Sequence, residues 1–298
     1  MKMDQLAEYL QCPYCKNPNL IIQNNKIICI FCNIKYDIIE NIPILINKEK
    51  LNRQEKMQTV WFDKHYSKFS RDRYHLEKWR QSMLKRIFEQ NYKKKIQTYL
   101  DIGCGAKGYT IIEGVKRNKW ISVGTDISLE AMIRASNLAK RQGVSDKTAF
   151  VVCAAENLPF KKNIFDYISA ISILEHLKYD RRAVKNIIYA LKPRGYIYIC
   201  VPNTYRKMWP FLWPIYYYVD LKIGHKQHYS IEKLDDYFVG GHKCKKIKAF
   251  YNGHLIKFYQ LALKKWKLID DDKWWKIEKK DINANKTGVQ LNAIYQKQ

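Results

Sequence analysis

A glycine-rich turn constrains the fold of this chain more than any other feature. It reads Leu-Asp-Ile-Gly-Cys-Gly-Ala-Lys-Gly over residues 100–108, between an apolar segment and an amphipathic one. Glycines let the backbone turn sharply and approach a ligand closely. A turn of this kind after a buried strand is typical of cofactor-binding α/β folds. We therefore expect a ligand site at residues 100–108.

Short apolar segments alternate with helix-period segments from residue 96 onward. We predict buried strands over 96–102, 120–127, 150–153, 165–173 and 196–201, with helices over 109–117, 128–142 and 180–191. Such alternation predicts an α/β fold with a doubly wound sheet. Ligands in such folds bind at the carboxyl ends of the strands.

The glycine turn by itself permits two kinds of cofactor. Gly103, Gly105 and Gly108 satisfy the dinucleotide pattern G-x-G-x-x-G, and Asp126 follows at about the right distance to bind a ribose. However, Asp101 lies two residues before the first glycine. A carboxylate there is unfavourable beside a pyrophosphate and favourable beside the ammonium group of a methionine moiety. Charge therefore favours S-adenosylmethionine over a nicotinamide dinucleotide.

Five segments in order resemble the motifs of the class I, type-11 methyltransferase domain family. They cover residues 101–105, 124–128, 155–160, 165–177 and 191–203. The resemblance implies a Rossmann-like, S-adenosylmethionine-dependent methyltransferase. Two departures, Ala154 where the family often has aspartate and Lys107 in the glycine turn, leave a non-catalytic copy as an alternative.

The resemblance also implies roles for individual residues. The backbone at Gly103 and Gly105 would hold the methionine and ribose, and Asp126 would accept hydrogen bonds from the ribose hydroxyls. Ile127 would pack on the adenine, and Ala155 would offer it a backbone N–H. Glu156 would take the place of the missing aspartate at 154, and Glu175 and His176 would shape the cofactor pocket.

Two C-x-x-C pairs near the N-terminus predict a structural zinc site. The ligands would be Cys12, Cys15, Cys29 and Cys32. Two such turns complete a tetrahedral four-sulfur shell and leave no open coordination position for catalysis. The alternative is that one C-x-x-C pair has a redox role. Residues 20–22 and 26–28 are predicted to be short strands joined by a hairpin. The pattern over about 8–48 resembles the zinc ribbon of the small tRNA-methyltransferase activator proteins.

These features divide the chain into three predicted parts. The zinc ribbon covers 1–48, a linker and N-terminal helix cover 49–95, and the methyltransferase domain covers 96–298. An aromatic, lid-like insertion lies at about 203–229 within the last part. The helix stripe at 76–92 is expected to pack on the domain.

The acceptor side carries one candidate base, His225. Methyl transfer depends mainly on positioning, and a base is needed only if the acceptor must lose a proton. The segment 224–230 resembles a stretch that borders the acceptor pocket in this family, and histidine titrates near neutral pH. The alternative is a loop histidine that orders the following helix, 231–238, which Ser230 would cap.

The leading hypothesis for the acceptor is a small molecule, and a lipid- or glycan-linked molecule is one form that it could take. Three features leave a nucleic acid or a membrane surface open as a partner. They are the net charge of +26, the aromatic segment 208–219 and the lysine–tryptophan tail 264–276. An RNA methyltransferase acting on tRNA or rRNA and a non-catalytic binding module are the alternatives, and AT-rich composition alone would explain the charge. No signal-peptide core and no transmembrane segment is evident, so we expect a cytoplasmic protein, with peripheral membrane contact through 208–219 as a further option.

Overall fold

The computed structural model describes most of the chain. The described residues are 1–47, 49–67, 74, 76, 78–88, 95–205, 210, 213–241, 244–253, 276 and 288–298. They fall into two compact units. The first comprises Met1–Tyr74, Lys93–Ser169 and Tyr179–Gly195, and the second comprises His75–Tyr92, Ala170–Lys178 and Tyr196–Gln298.

A small antiparallel sheet follows helix α1 (Met3–Ala7) at the start of the first unit. Its strands are β1 (Leu20–Gln23), β2 (Lys26–Cys29), β3 (Lys35–Ile39) and β4 (Ile42–Pro43), paired in that order. Asn24 and Asn25 join β1 to β2 with φ of 50° and 56°. Two consecutive positive φ values favour a tight two-residue hairpin that follows the strand twist, and asparagine tolerates them. The predicted hairpin is present.

Backbone hydrogen bonds join this small sheet to the rest of the first unit. The N–H of Leu45 donates to the carbonyl oxygen of Val152 at 2.8 Å, and that of Gln11 donates to the carbonyl oxygen of Pro159 at 2.8 Å. Ile44 also forms a parallel bridge with Val152. The cysteine-bearing segment is therefore part of this compact unit and not a tethered arm.

Parallel strands form the centre of the first unit. They are β5 (Thr98–Ile102), β6 (Ile121–Asp126) and β7 (Thr148–Val152), and β8 (Phe165–Ile171) lies beside β5. Their connections include α4 (Tyr109–Asn118), α5 (Leu129–Arg141) and α6 (Asp180–Ala190). β5 and β7 are buried along their whole length, which is typical of parallel strands covered on both faces. These elements confirm the predicted strand–helix alternation to within a few residues.

Part of the predicted linker is a helix, α2 (Arg53–Ser67). Asn52 and Glu55 form a reciprocal cap at its start. The N–H of Glu55 donates to Oδ1 of Asn52 at 3.0 Å, and the N–H of Asn52 donates to Oε2 of Glu55 at 2.7 Å. Such a cap satisfies backbone donors that a helix terminus leaves without partners.

The second unit contains an antiparallel three-stranded arrangement. Its order is β10 (Cys244–Asn252), β11 (Gln290–Lys297) and β9 (Leu191–Pro202). β8 and β9 each run through the boundary between the units. The sequence did not predict β10 or β11, whereas β9 extends the predicted strand 196–201 at both ends.

Three helices complete the described part of the second unit. They are α3 (Lys78–Phe88), α7 (Trp213–Ile223) and α8 (Ile231–Phe238). α3 confirms the predicted helix stripe at 76–92 and buries Leu84, Ile87 and Phe88. α8 begins at the predicted residue, where the Ser230 hydroxyl oxygen accepts from the N–H of Lys233 at 3.3 Å. Residues 264–275 of the lysine–tryptophan tail lie outside the described residues.

Candidate functional site

The glycine turn is fixed against the end of the neighbouring strand. The N–H groups of Gly103 and Cys104 both donate to the carbonyl oxygen of Thr125, at 2.7 and 2.9 Å. Gly103 and Gly105 have φ of 71° and 64°. Side chains rarely adopt this left-handed conformation, so the turn requires glycine. The predicted sharp turn after β5 is present.

Asp126 lies at the end of β6, directly beside this turn. Its Oδ2 accepts a hydrogen bond from the N–H of Gly105 at 3.2 Å, and its Oδ1 accepts one from the N–H of Ser128 at 3.0 Å. The residue is partly exposed, and burial of its carboxyl raises the pKa of Asp126 to about 6. The carboxylate is thus held rigidly, and each oxygen has a further lone pair for a hydroxyl donor.

Asp101 is buried deeper and is held by hydroxyl groups of the protein. Ser169 donates to its Oδ1 at 2.5 Å, and Thr110 donates to its Oδ2. Burial raises the pKa of Asp101 to about 7. Its expected contact with the ammonium group of a methionine moiety stays a prediction.

The expected adenine side of the site follows β7. Ala155–Asn157 form a 3-10 turn in which Glu156 is buried, and burial raises its pKa. The carbonyl oxygen of Glu156 accepts a hydrogen bond from Nδ2 of Asn186 on α6 at 2.7 Å, which fixes the turn. Ile127, which follows Asp126, is half-buried. The proposed contacts of Ile127, Ala155 and Glu156 with the adenine stay a prediction.

Helix α2 brings two residues to this site that sequence reasoning missed. The hydroxyl of Ser128 donates to Oδ1 of Asp63 at 2.5 Å, and the N–H of Glu130 donates to the same oxygen at 3.3 Å. The hydroxyl of Tyr66 lies close to Gly105: a Cβ atom built on Gly105 would be 3.3 Å from the Tyr66 hydroxyl oxygen. The spacing of Phe62 and Tyr66, four residues apart, could have indicated a helix here, because such residues lie on one helix face. Their rings are stacked in the structure.

The four N-terminal cysteines converge on one point, as predicted. Their sulfur atoms all lie within 4.8 Å of one another. Cys12 and Cys32 are 3.6 Å apart, and Cys15 and Cys29 are 3.5 Å apart. Four sulfurs around zinc at about 2.3 Å would be roughly 3.8 Å apart. The donor set therefore fits a tetrahedral four-thiolate site.

The two C-x-x-C turns also have the same backbone geometry. The N–H of Lys16 donates to the carbonyl oxygen of Cys12 at 3.0 Å, and the N–H of Asn33 donates to that of Cys29 at 2.9 Å. Lys16 and Asn33 have φ of 60° and 56°. Tyr36 lies behind one ligand, with its hydroxyl 3.2 Å from Sγ of Cys12. Each turn is thereby shaped to direct two thiols at one point.

A second polar cluster lies in the second unit, around Asp220. Nδ1 of His225 is 2.7 Å from Oδ1 of Asp220, and Nε2 of His228 is 3.0 Å from Oδ2. The Tyr205 hydroxyl also donates to Oδ2. Asp220 therefore orients the His225 ring and directs its Nε2 away from this carboxylate. The role of His225 as a base stays a prediction.

Nε2 of His225 faces Glu175, at 4.0 Å from Oε1. Glu175 and His176 lie in a 3-10 turn after β8, Leu174–His176. Glu175 is fully buried, and neither carboxylate oxygen has a hydrogen-bond partner among the described residues. Burial raises the pKa of Glu175 to about 8, and it lowers that of His176, together with the neighbouring His225, to about 4. The structure thus brings the predicted Glu-His pair into one cluster with His225.

Helix α7 presents large apolar side chains to solvent. Trp213, Tyr217, Tyr218 and Leu221 are 41–66% exposed. They include the end of the predicted aromatic segment 208–219, of which 208–209 and 211–212 lie outside the described residues. None of the described helices has the length and apolar character needed to cross a bilayer.

Known proteins share the sequence of the central part of the chain. Residues 100–199 match the family described as a methyltransferase domain. Norajmaline N-methyltransferase of Rauvolfia serpentina is 34% identical over 106 residues, which are 36% of each chain. The mitochondrial ubiquinone biosynthesis O-methyltransferase of Candida albicans is 28% identical over 36% of this chain and 32% of that enzyme. The chain thus spans about a third of the length of these curated relatives.

Solved methyltransferase structures share the fold over a larger part of the chain. The geranyl diphosphate C-methyltransferase of Streptomyces coelicolor A3(2), solved with Mg²⁺, geranyl-S-thiolodiphosphate and S-adenosyl-L-homocysteine, has a TM-score of 0.62 at 9% identity. The match covers 83% of this chain and 99% of that one. This likeness confirms the predicted α/β, Rossmann-like fold, with a sheet that is mixed. Residues 100–199 match the methyltransferase domain family in sequence, and the fold agrees with that match.

Proposed function

We propose that the chain is an S-adenosylmethionine-dependent methyltransferase that transfers a methyl group to a small-molecule acceptor. The observation that carries this proposal is the carboxylate of Asp126, fixed beside the glycine turn with a further lone pair on each oxygen. Two adjacent ribose hydroxyls are a matching pair of donors for one carboxylate. The family match over residues 100–199 and the names of the relatives support the same activity.

The chemistry of this proposal is an in-line displacement at the methyl carbon of the sulfonium. An acceptor lone pair attacks that carbon, and the bond to sulfur breaks with its electron pair left on S-adenosylhomocysteine. Positioning of the acceptor provides most of the acceleration. If the acceptor is a hydroxyl, His225 would take its proton on Nε2 while Asp220 stabilises the resulting imidazolium through Nδ1.

The cysteine cluster would hold a structural zinc ion in this enzyme. The convergence of four sulfurs and the matched backbone turns support the assignment. A four-thiolate shell leaves no open coordination position, so zinc there would stabilise the fold and take no part in methyl transfer. The resemblance of this ribbon to that of the tRNA-methyltransferase activator family rests on the cysteine pairs and on the Ile-Pro-Ile-Leu segment at residues 42–45.

A small and partly apolar acceptor agrees best with the relatives and with helix α7. The relatives are named for alkaloid N-methylation and ubiquinone O-methylation. The exposed side chains of Trp213, Tyr217 and Leu221 would suit a lipid-like acceptor or a membrane interface. The charge of +26 keeps RNA as the second candidate acceptor.

The direct test is a labelling experiment with the purified chain. It is incubated with cell extract and S-adenosylmethionine labelled in the methyl group, and the RNA, lipid and small-molecule fractions are then separated. We expect label in the lipid or small-molecule fraction, and none with the Asp126→Ala variant. Label in RNA alone, with steeply salt-dependent RNA binding, would replace the proposed acceptor class. The absence of label in every fraction, with no cofactor binding, would indicate a binding module.

A further inference from the structure

We propose that Glu175, His176 and His225 bind a divalent transition-metal ion, at a site separate from the cysteine cluster. Each residue offers one ligand atom, and the three atoms lie within 4.8 Å of one another. Two imidazoles and one carboxylate are a donor set typical of zinc, iron and manganese, whereas calcium and magnesium prefer oxygen ligands.

The strongest support is the state of Glu175. It is 0% exposed, and neither of its carboxylate oxygens has a hydrogen-bond partner among the described residues. A buried carboxyl group whose oxygens lack well-formed hydrogen bonds is costly, because its lost contacts with water are not fully replaced. Its Oε1 points toward the ring of His225, 4.0 Å from Nε2. A cation between these atoms would remove the cost.

Asp220 prepares His225 to act as a ligand. Its Oδ1 lies 2.7 Å from Nδ1 of the ring, so the proton is held on that nitrogen and Nε2 is left with a lone pair. Metal-binding histidines commonly donate their second N–H to a carboxylate, which fixes the tautomer and the ring orientation. Asp220 is therefore a positioning residue for the proposed metal and not one of its ligands.

The backbone holds the two ligand-bearing segments together. The N–H of Lys226 donates to the carbonyl oxygen of Glu175 at 2.8 Å. The Tyr229 hydroxyl donates to the carbonyl oxygen of Leu174 at 3.0 Å. These bonds flank the ligands on both segments, so the site is formed before any ion binds.

Three protein ligands leave coordination positions open for other oxygen or nitrogen ligands. An ion held in this way would supply Lewis acidity to an acceptor hydroxyl, and it would replace His225 as the proposed base because it would occupy the lone pair on Nε2. This consequence rests on the proposed function, whereas the binding of the ion does not.

Cobalt binding by the full-length protein tests the site. Metal-free protein is titrated with Co²⁺ by equilibrium dialysis, while thiolate-to-cobalt charge-transfer absorption reports the cysteine site separately. We expect two equivalents, of which only one produces the thiolate band. Glu175→Gln should lose the equivalent without the band, and Cys32→Ser should lose the one with it. Asp220→Asn should lower the affinity for the Co²⁺ equivalent that gives no thiolate band by roughly 10- to 100-fold.

His228→Gln is the matched control, because His228 contacts Asp220 but is not a proposed ligand. It should retain both equivalents. Asp220, His225 and His228 form an alternative ligand set, and that set predicts a loss with His228→Gln and none with Glu175→Gln. That result would overturn the proposal, as would a wild-type protein that binds only through its cysteines.

Thermal unfolding and cofactor titration separate the remaining outcomes. Without metal, Glu175→Gln should unfold at the same temperature as wild type or higher, because it removes a buried carboxylate; the stabilisation by added Co²⁺ should shrink. Equal stabilisation of both proteins would contradict the site. The two proposals can also fail separately. If the wild-type protein binds the Co²⁺ equivalent that gives no thiolate band but does not bind S-adenosylmethionine, the proposed function fails and the metal site stands.

Discussion

The carboxylate of Asp126 accepts a hydrogen bond from the backbone N–H of Gly105, at 3.2 Å. This bond connects the end of β6 to the glycine turn after β5, so the two parts of the expected cofactor site hold each other in place. A ribose bound here would meet a carboxylate that is already oriented. The affinity for the cofactor should therefore depend on this carboxylate more than on any other side chain of the first unit.

Asp126→Ala is expected to lower the affinity for S-adenosylmethionine by about 100-fold or more. Hydrogen bonds to a charged group contribute about 1.5–3 kcal/mol each, and two would be lost. Isothermal titration calorimetry measures the change. The exposed carboxylate of Asp146 provides a matched control, since Asp146→Ala removes the same charge elsewhere in the unit. Unchanged affinity of Asp126→Ala would contradict the placement of the ribose.

Asp101 should make the protein less stable as the pH rises from about 4 to 7. The folded protein holds this proton up to about pH 7, whereas an exposed carboxyl releases it near 3.8. The folded state thus binds more protons than the unfolded state in this range, and the contribution to the free energy of unfolding falls by up to about 4 kcal/mol. Asp126 adds a smaller effect of the same sign.

Urea unfolding of wild type and Asp101→Asn at pH 5 and pH 8 measures this effect. The variant cannot ionise, so the difference in the free energy of unfolding between the two pH values should be smaller than in wild type. An equal difference in both proteins would show that Asp101 does not carry the proton.

Asp63→Ala should weaken cofactor binding several-fold without removing it. Asp63 accepts hydrogen bonds from the Ser128 hydroxyl and the N–H of Glu130, and so anchors α2 at the start of α5. Without this anchor, Tyr66 would lie less firmly beside Gly105. Lys64→Ala, on the exposed side of the same helix, is the control in the calorimetric titration. Equal effects of the two substitutions would argue against the anchor.

Removal of the ribbon metal is expected to loosen the N-terminal segment while the central sheet stays intact. The N–H groups of Lys16 and Asn33 close the two cysteine turns, so their hydrogen exchange should accelerate when a chelator is added. The amides of Leu100 and Val123, inside the parallel sheet, should stay protected. Restored zinc should restore protection; exchange that is indifferent to chelator would rule out a structural metal.

Local sequence signals were sufficient for the elements around the glycine turn. β5, β6 and β7 are short buried apolar segments, and the capping residue Ser128 marks the start of α5. The hairpin at Asn24 and Asn25 was equally readable, because both residues favour the backbone that a two-residue loop requires. The convergence of the four cysteines followed from their spacing.

Other features depend on contacts between residues distant in the chain. β11 pairs with β9 across about ninety residues, and neither strand's sequence encodes that pairing. Helix α2 was predicted as linker because its sequence is largely polar and charged, whereas its contacts with α5 are not visible in the sequence. The orientation of His225 by Asp220 was equally hidden, since an aspartate within a helix indicates a solvated face more often than a histidine partner.

The most direct test of the account is calorimetric titration of the wild-type protein with S-adenosylmethionine and, separately, with a nicotinamide dinucleotide. We expect saturable one-to-one binding of S-adenosylmethionine and none of the dinucleotide. Binding of the dinucleotide at the glycine turn, with no heat from S-adenosylmethionine, would contradict the account.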